Sequence, residues 1–145
     1  MPAAGYNEPK INNGSANDIA GIKDALRGFY TGLSEFDMKA LEANTAPGYY
    51  LLEHGEYWNL EYTQFKVGNE KPPGFSRSNR FDFKRIDIFG DDAFAVWDLF
   101  ADVRKEARDF QLYWLESGSF KKVDGVWKVH FLHSTRSTPA GSEAS

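Results

Sequence analysis

A chain of 145 residues suits one domain, and a domain of that size buries roughly 68–70% of its unfolded surface. Hydrophobic residues make up 41%, enough for a full core, and the absence of cysteine excludes disulfides and thiolate chemistry. The net charge of −4 argues against a nucleic-acid partner, and no apolar run approaches the ~20 residues that span a bilayer. With no apolar signal core in 1–17, a cytoplasmic protein is expected.

Residues 1–16 are rich in Gly, Pro, Asn and Ala and read as a flexible arm. Ser15 and Asn17 offer helix caps, with Asp18 in the first turn, where the helix dipole favours an acid. Ile19, Ile22, Leu26, Phe29 and Leu33 then follow at spacings of three and four, one face of a helix. Its glycines at 21, 28 and 32 predict close approach to a sheet.

Asp37 caps a second, short helix through Leu41 and Ala43 that stops before Pro47. Tyr49 to His54 reads as a strand closed by Gly55. Trp58, Tyr62 and Phe65 recur at helical spacing in a third helix ending at Gly68, and 69–78 reads as a Pro-Pro-Gly loop.

The period then changes. Strands are predicted over 81–89, 93–103, 108–123 and 126–135, separated by a turn at Gly90-Asp91-Asp92, a four-residue loop at 104–107 and the hairpin signal Asp124-Gly125. Residues 137–145 form a polar tail, leaving 17–136 as a single domain. Helices first and long strands afterwards predict an α+β fold: a curved antiparallel sheet of four to six strands, with about three N-terminal helices covering its concave face.

Counting outward from a two-residue turn at Asp124-Gly125 pairs Phe120 with Val129, Gly118 with Phe131, Glu116 with His133 and Trp114 with Thr135, all on one face. A β-bulge would dissolve the Glu116–His133 pair. The same alternation turns His130 and His133 to opposite faces. With three histidines and no cysteine, no metal site is expected. A four-residue loop at 104–107 sets Trp97 against Trp114 and Ala95 against Glu116, whereas a one-residue shift brings Asp98 onto the Glu116 face. On the first register Phe94, Val96, Asp98, Phe100, Tyr113 and Leu115 share the outer face. An apolar outer face predicts a homodimer formed through it.

Val123-Asp124-Gly125-Val126-Trp127-Lys128-Val129-His130-Phe131-Leu132-His133-Ser134 resembles the closing strand of the SnoaL-like branch of the nuclear transport factor 2 superfamily. Gly90-Asp91-Asp92-Ala93 is similar to the turn that opens its central strand, and Asp18 to Leu33 with Asp37 and Leu41 to its opening helix pair. The resemblance spans most of 17–136. It implies a cone-shaped α+β domain with a pocket between the helices and the concave sheet face, and frequent dimers. Members include ketosteroid isomerases, polyketide cyclases, dehydratases and a kinase association domain. The isomerase chemistry needs a carboxylate base, a tyrosine and a protonated acid. The resemblance puts Glu53 near the base position, Phe29 at the tyrosine position with Tyr30 pointing elsewhere, and Ser117 or Glu116 near the acid.

The expected function is therefore binding of a small, partly apolar molecule, without cofactor. Trp58, Tyr62, Trp97, Trp114 and Phe131 form the walls in this reading, and Glu116 with His133 the polar end. One alternative is a cofactor-independent isomerase, dehydratase or cyclase using His133 and Glu116 as its acid–base pair, with Glu53 as a second base. The other is a homo-oligomeric assembly module with a vestigial pocket.

Overall fold

Three helices lie against one face of a single curved sheet in the computed structural model, which describes residues 11–138. The expected tail from 139 on, and the first ten residues of the expected arm, lie outside the described residues. Within that arm, β1 (Ile11–Asn13) pairs in parallel with a strand much later in the chain.

Helix α1 (Ala16–Ser34) starts as its sequence requires, with the Ser15 hydroxyl accepting from Asp18 N at 3.1 Å. Asp18 then ties the helix to the sheet, accepting from Trp127 Nε1 at 2.9 Å and Lys122 Nζ at 3.1 Å. These donors, Trp127 first, hold its carboxyl below the usual range. Of the three helix glycines, Gly21 is the one set against the sheet: a Cβ there would lie 2.7 Å from Trp127 Cδ1. Gly28 meets Asn44, and Gly32 meets α2 (Met38–Ala43), which is capped by Asp37.

The chain continues through β2 (Thr45–Glu53), β3 (Glu56–Asn59) and α3 (Leu60–Val67), then β4 (Ser76–Phe89), β5 (Asp92–Lys105), β6 (Arg108–Val123) and β7 (Val126–Arg136). Among the described residues the sheet order is β1-β4-β5-β6-β7-β2-β3, close to the expected four to six strands with the three-residue β1 added at one edge. The sheet is mixed rather than wholly antiparallel. The meander from β4 to β7 is antiparallel as expected, but β2 returns after two helices and runs parallel to β7. Trp58 falls on β3 and not on the third helix, and β4 begins inside the expected loop.

Two-residue turns set the registers of the hairpins. Asp124 and Gly125 have φ of 51° and 81°, the left-handed pair of a type I′ turn, and His54-Gly55 repeats it at 53° and 76° between β2 and β3. Glu106 and Ala107 do the same at 54° and 62° without a glycine. That conformation costs an L-residue about 1–2 kcal/mol. The expected four-residue loop is thus a tight hairpin. Trp97 lies opposite Glu116 and Leu99 opposite Trp114, displaced by two residues from the preferred register. A two-residue displacement preserves the faces. Ala93, Ala95, Trp97 and Leu99 do line the concave side, fully buried under the helices. The outer side carries Phe94, Val96, Asp98 and Phe100, with Tyr113 and Leu115 opposite them.

Candidate functional site

The β6–β7 hairpin follows the predicted register from Val123–Val126 to Phe120–Val129 and then breaks. Ser119 pairs with Phe131, so His130 is an extra residue in β7, a β-bulge. His130 and Phe131 turn outward together, their rings 5.8 and 4.8 Å from that of Tyr50. Beyond the bulge every partner is displaced by one. Glu116 lies opposite Ser134, and His133 opposite Ser117 on the outer face, exposed. The expected Glu116–His133 pair therefore does not form. Phe131 is a rim of the outer face and not a pocket wall, and His130 and His133 share that face instead of opposing one another.

Glu116 itself is completely buried at the centre of the concave face. Three donors converge on its carboxyl: Tyr30 Oη to Oε2 at 2.6 Å, Trp97 Nε1 to Oε1 at 2.9 Å, and the Ser134 hydroxyl to Oε2. They come from α1, β5 and β7, so the network ties the first helix to the middle of the sheet. Burial pushes the Glu116 carboxyl above its usual range, and the three hydrogen bonds pull the other way. Tyr30 is buried beside it and its phenol is held well above its ordinary range, first by burial and then by the Glu116 charge. Tyr30 had been expected to point away from the pocket. The reverse holds, and both Phe29 and Tyr30 face the cavity.

That cavity has a volume of about 220 Å³ and lies between α1, α3 and the concave sheet face. Leu33, Leu51, Trp58 and Trp114 supply apolar wall, and Tyr30, Glu53, Lys66, Arg77, Glu116 and Ser134 the polar groups. Glu53, on β2 opposite Ser134, keeps 27% of its side chain exposed. Burial raises its pKa, while His54 and Arg77 oppose the rise. Arg77 enters from β4, its guanidinium 5.0 Å from the Trp114 ring and 5.6 Å from that of Tyr30. Its Nε donates to Asn79 Oδ1 at 2.8 Å, and Asn79 in turn donates to Ser34 Oγ.

Of the expected site residues, Glu53, Glu116, Trp58 and Trp114 meet in this cavity. Trp97 lies beneath it as a buried support for Glu116. Tyr62 is 40% exposed on α3, edge-on to Trp58 at 5.5 Å, and stands outside. Tyr30, Arg77 and Ser134 were missed. Tyr30 had a signal, because it follows Leu26 by four and precedes Leu33 by three, on the same helical stripe as the core residues. Arg77 had almost none, since Ser76-Arg77-Ser78-Asn79-Arg80 alternates polar with polar.

No family model matches this chain, and no curated protein matches it. Solved structures do. The CamKII hub homology domain of Chlamydomonas reinhardtii superposes with a TM-score of 0.73 at 14% identity, covering 83% of this chain and 99% of its own. An NTF2-like protein from Cytophaga hutchinsonii gives 0.67 at 16%, covering 86% and 100%. A hexachlorocyclohexane dehydrochlorinase (LinA, type 2) gives 0.67 at 16%, covering 89% and 93%. Such likeness establishes the architecture, which serves catalytic and assembly proteins alike.

Proposed function

We propose that this chain, which has the nuclear transport factor 2-like fold, holds a small, partly apolar molecule in the cavity under α1 and performs cofactor-independent acid–base chemistry on it, as an isomerase or lyase. The observation that carries this reading is convergence. Tyr30, Glu53 and Glu116 come from three separate elements and present a phenol and two carboxyls to one cavity. In this reading Glu53 is the proton acceptor, partly open to water and made more basic by burial. Tyr30 donates to an oxygen that gains negative charge. Glu116 accepts from the Tyr30 phenol and has its pKa raised by burial; once protonated it donates back to the Tyr30 oxygen and leaves the phenolic O–H for the ligand. The resemblance puts Phe29 at the tyrosine position, and the neighbouring Tyr30 supplies a phenol to the cavity beside Glu53 and Glu116.

The volume narrows the occupant. Drug-sized sites span ~300–1,000 Å³, so a cavity of about 220 Å³ favours a compact molecule over a polycyclic one. Native mass spectrometry of the purified chain, before and after incubation with a library of small polar aromatics and acids, is expected to show one retained molecule per subunit. Leu33→Trp, which fills the cavity from its α1 wall, is expected to abolish retention without unfolding the chain. Equal retention by the filled variant, or none by the natural chain, would refute the reading.

We further propose, as a second reading of the same molecule, that two copies associate through the outer sheet face, in the cytoplasm. Phe94 and Leu115 are 55% and 43% exposed there, beside Val96, Phe100 and Tyr113. Asp98 lies among them, buried and accepting from Tyr113 Oη at 2.5 Å and from Lys84 Nζ at 3.0 Å, and the Arg80 guanidinium lies 4.1 Å over the Phe100 ring. Neighbours of the same fold that are hub domains make this surface a natural candidate for assembly. Light scattering at micromolar concentration should give twice the chain mass, falling to a single chain mass in Phe94→Asp combined with Leu115→Lys. A monomeric natural chain sinks the idea.

A further inference from the structure

We infer that the molecule held in the cavity is a small monocarboxylate whose carboxylate is gripped by Arg77; this rests on the reading that the cavity binds a ligand at all. Arg77 is built into place. It stands on β4 opposite Val103, its Nε is committed to Asn79, and Asn79 is anchored to Ser34 at the end of α1. Its planar group sits against the faces of Tyr30 and Trp114. With Nε so engaged, the terminal nitrogens are left for a ligand in the cavity that Arg77 lines.

A guanidinium withdrawn from water needs an anion, because an unpaired buried charge is costly. Burial indeed makes the Arg77 cation harder to hold. Two carboxyls share its cavity, yet among the described residues neither is in ion-pair contact with it. Two more cations stand beside the aromatic walls. Lys66 lines the cavity with its ammonium 5.7 Å from the Trp58 ring, and Arg136 sits 5.7 Å from the ring of Trp114. Among the described residues neither of these is ion-paired to a carboxylate.

One negative charge fits better than two. A guanidinium fork matches a planar carboxylate through two parallel hydrogen bonds. A phosphate dianion would bring its second charge toward Glu53 and Glu116. The remainder of the molecule meets Phe29, Leu33 and Leu51, which calls for an apolar body. At about 30 Å³ per water-sized group, a cavity of about 220 Å³ takes on the order of seven non-hydrogen atoms.

The test is isothermal titration of the full chain with matched pairs, each a monocarboxylate and its primary amide, running from butanoate through benzoate to phenylacetate. At least one acid is expected to bind about tenfold or more tightly than its amide. Arg77→Gln should erase that preference and Arg77→Lys should retain part of it, with circular dichroism confirming that both variants are folded. An amide that binds as well as its acid, or a preference that survives Arg77→Gln, overturns the carboxylate assignment while leaving the cavity as a binding site. Failure of every acid and every amide to bind overturns both. The comparison of acid with amide uses the natural chain, so it stands even if an Arg77 variant does not fold.

Discussion

Glu116→Ala is expected to destabilise the fold by roughly 3–5 kcal/mol, measured as a shift in the urea unfolding midpoint. The substitution empties a completely buried site and strips the acceptor from three donors: Tyr30 Oη, Trp97 Nε1 and the Ser134 hydroxyl. Each buried donor left without a partner costs about 1–3 kcal/mol. Rotation of the two hydroxyls toward other acceptors recovers a part, whereas the indole N–H is fixed by its ring. A loss below about 1 kcal/mol would mean the network contributes little to holding α1 on the sheet. Glu116→Gln separates charge from shape. The folded carboxyl has its pKa raised, so its favourable contribution is complete below the ordinary carboxyl range and is lost as pH climbs through the raised value. The natural chain should therefore lose stability relative to Glu116→Gln as pH rises from the ordinary carboxyl range through the raised value. A pH-independent difference would show that burial does not govern this carboxyl.

The second large effect has the opposite sign from its usual expectation. Gly→Ala at a position with ordinary backbone angles stabilises by about 0.4–1 kcal/mol, because alanine restricts the unfolded chain. Gly118→Ala is expected instead to destabilise by about 3 kcal/mol or more. A Cβ at Gly118 would overlap the Phe131 carbonyl oxygen and approach both Leu132 Cδ2 and Trp97 Cη2 to 3.1 Å. The oxygen belongs to the backbone and no rotamer moves it aside. Loss of the folded baseline in thermal unfolding, or a midpoint lowered by several degrees, is the expected readout. A neutral or stabilised variant would show that β7 shifts easily beside the bulge.

The parts of this molecule legible in its sequence are those governed by local rules. Ser15, Asp37 and Gly68 mark helix ends that the structure keeps, and Asp124-Gly125 fixes a hairpin through the positive φ that glycine and aspartate tolerate. Alternation from Ala93 onward identified the concave side of β5 even though its partners were displaced by two, since an even displacement preserves the face. The failures have physical causes as well. Glu106-Ala107 carries no turn residue, yet the long strands on either side force both residues into the left-handed region. The short β3 was hidden because Trp58 also fits a helical spacing with Tyr62. The extra residue at His130 leaves no trace in composition, and it decided the site. It exchanged His133 for Ser134 against Glu116 and turned Phe131 outward.

β7 thus contains two interleaved sets of side chains, Leu132 with Ser134 and Phe131 with His133, and the irregularity at His130 selects which set points inward. Had it fallen a few residues later along the strand, an imidazole would stand over the buried acid in place of a hydroxyl, and a phenyl ring would crowd the floor. The chemical temperament of this interior therefore depends on where a single surplus residue is absorbed: a quiet hydroxyl and open space on one placement, a titrating partner and a filled chamber on the other.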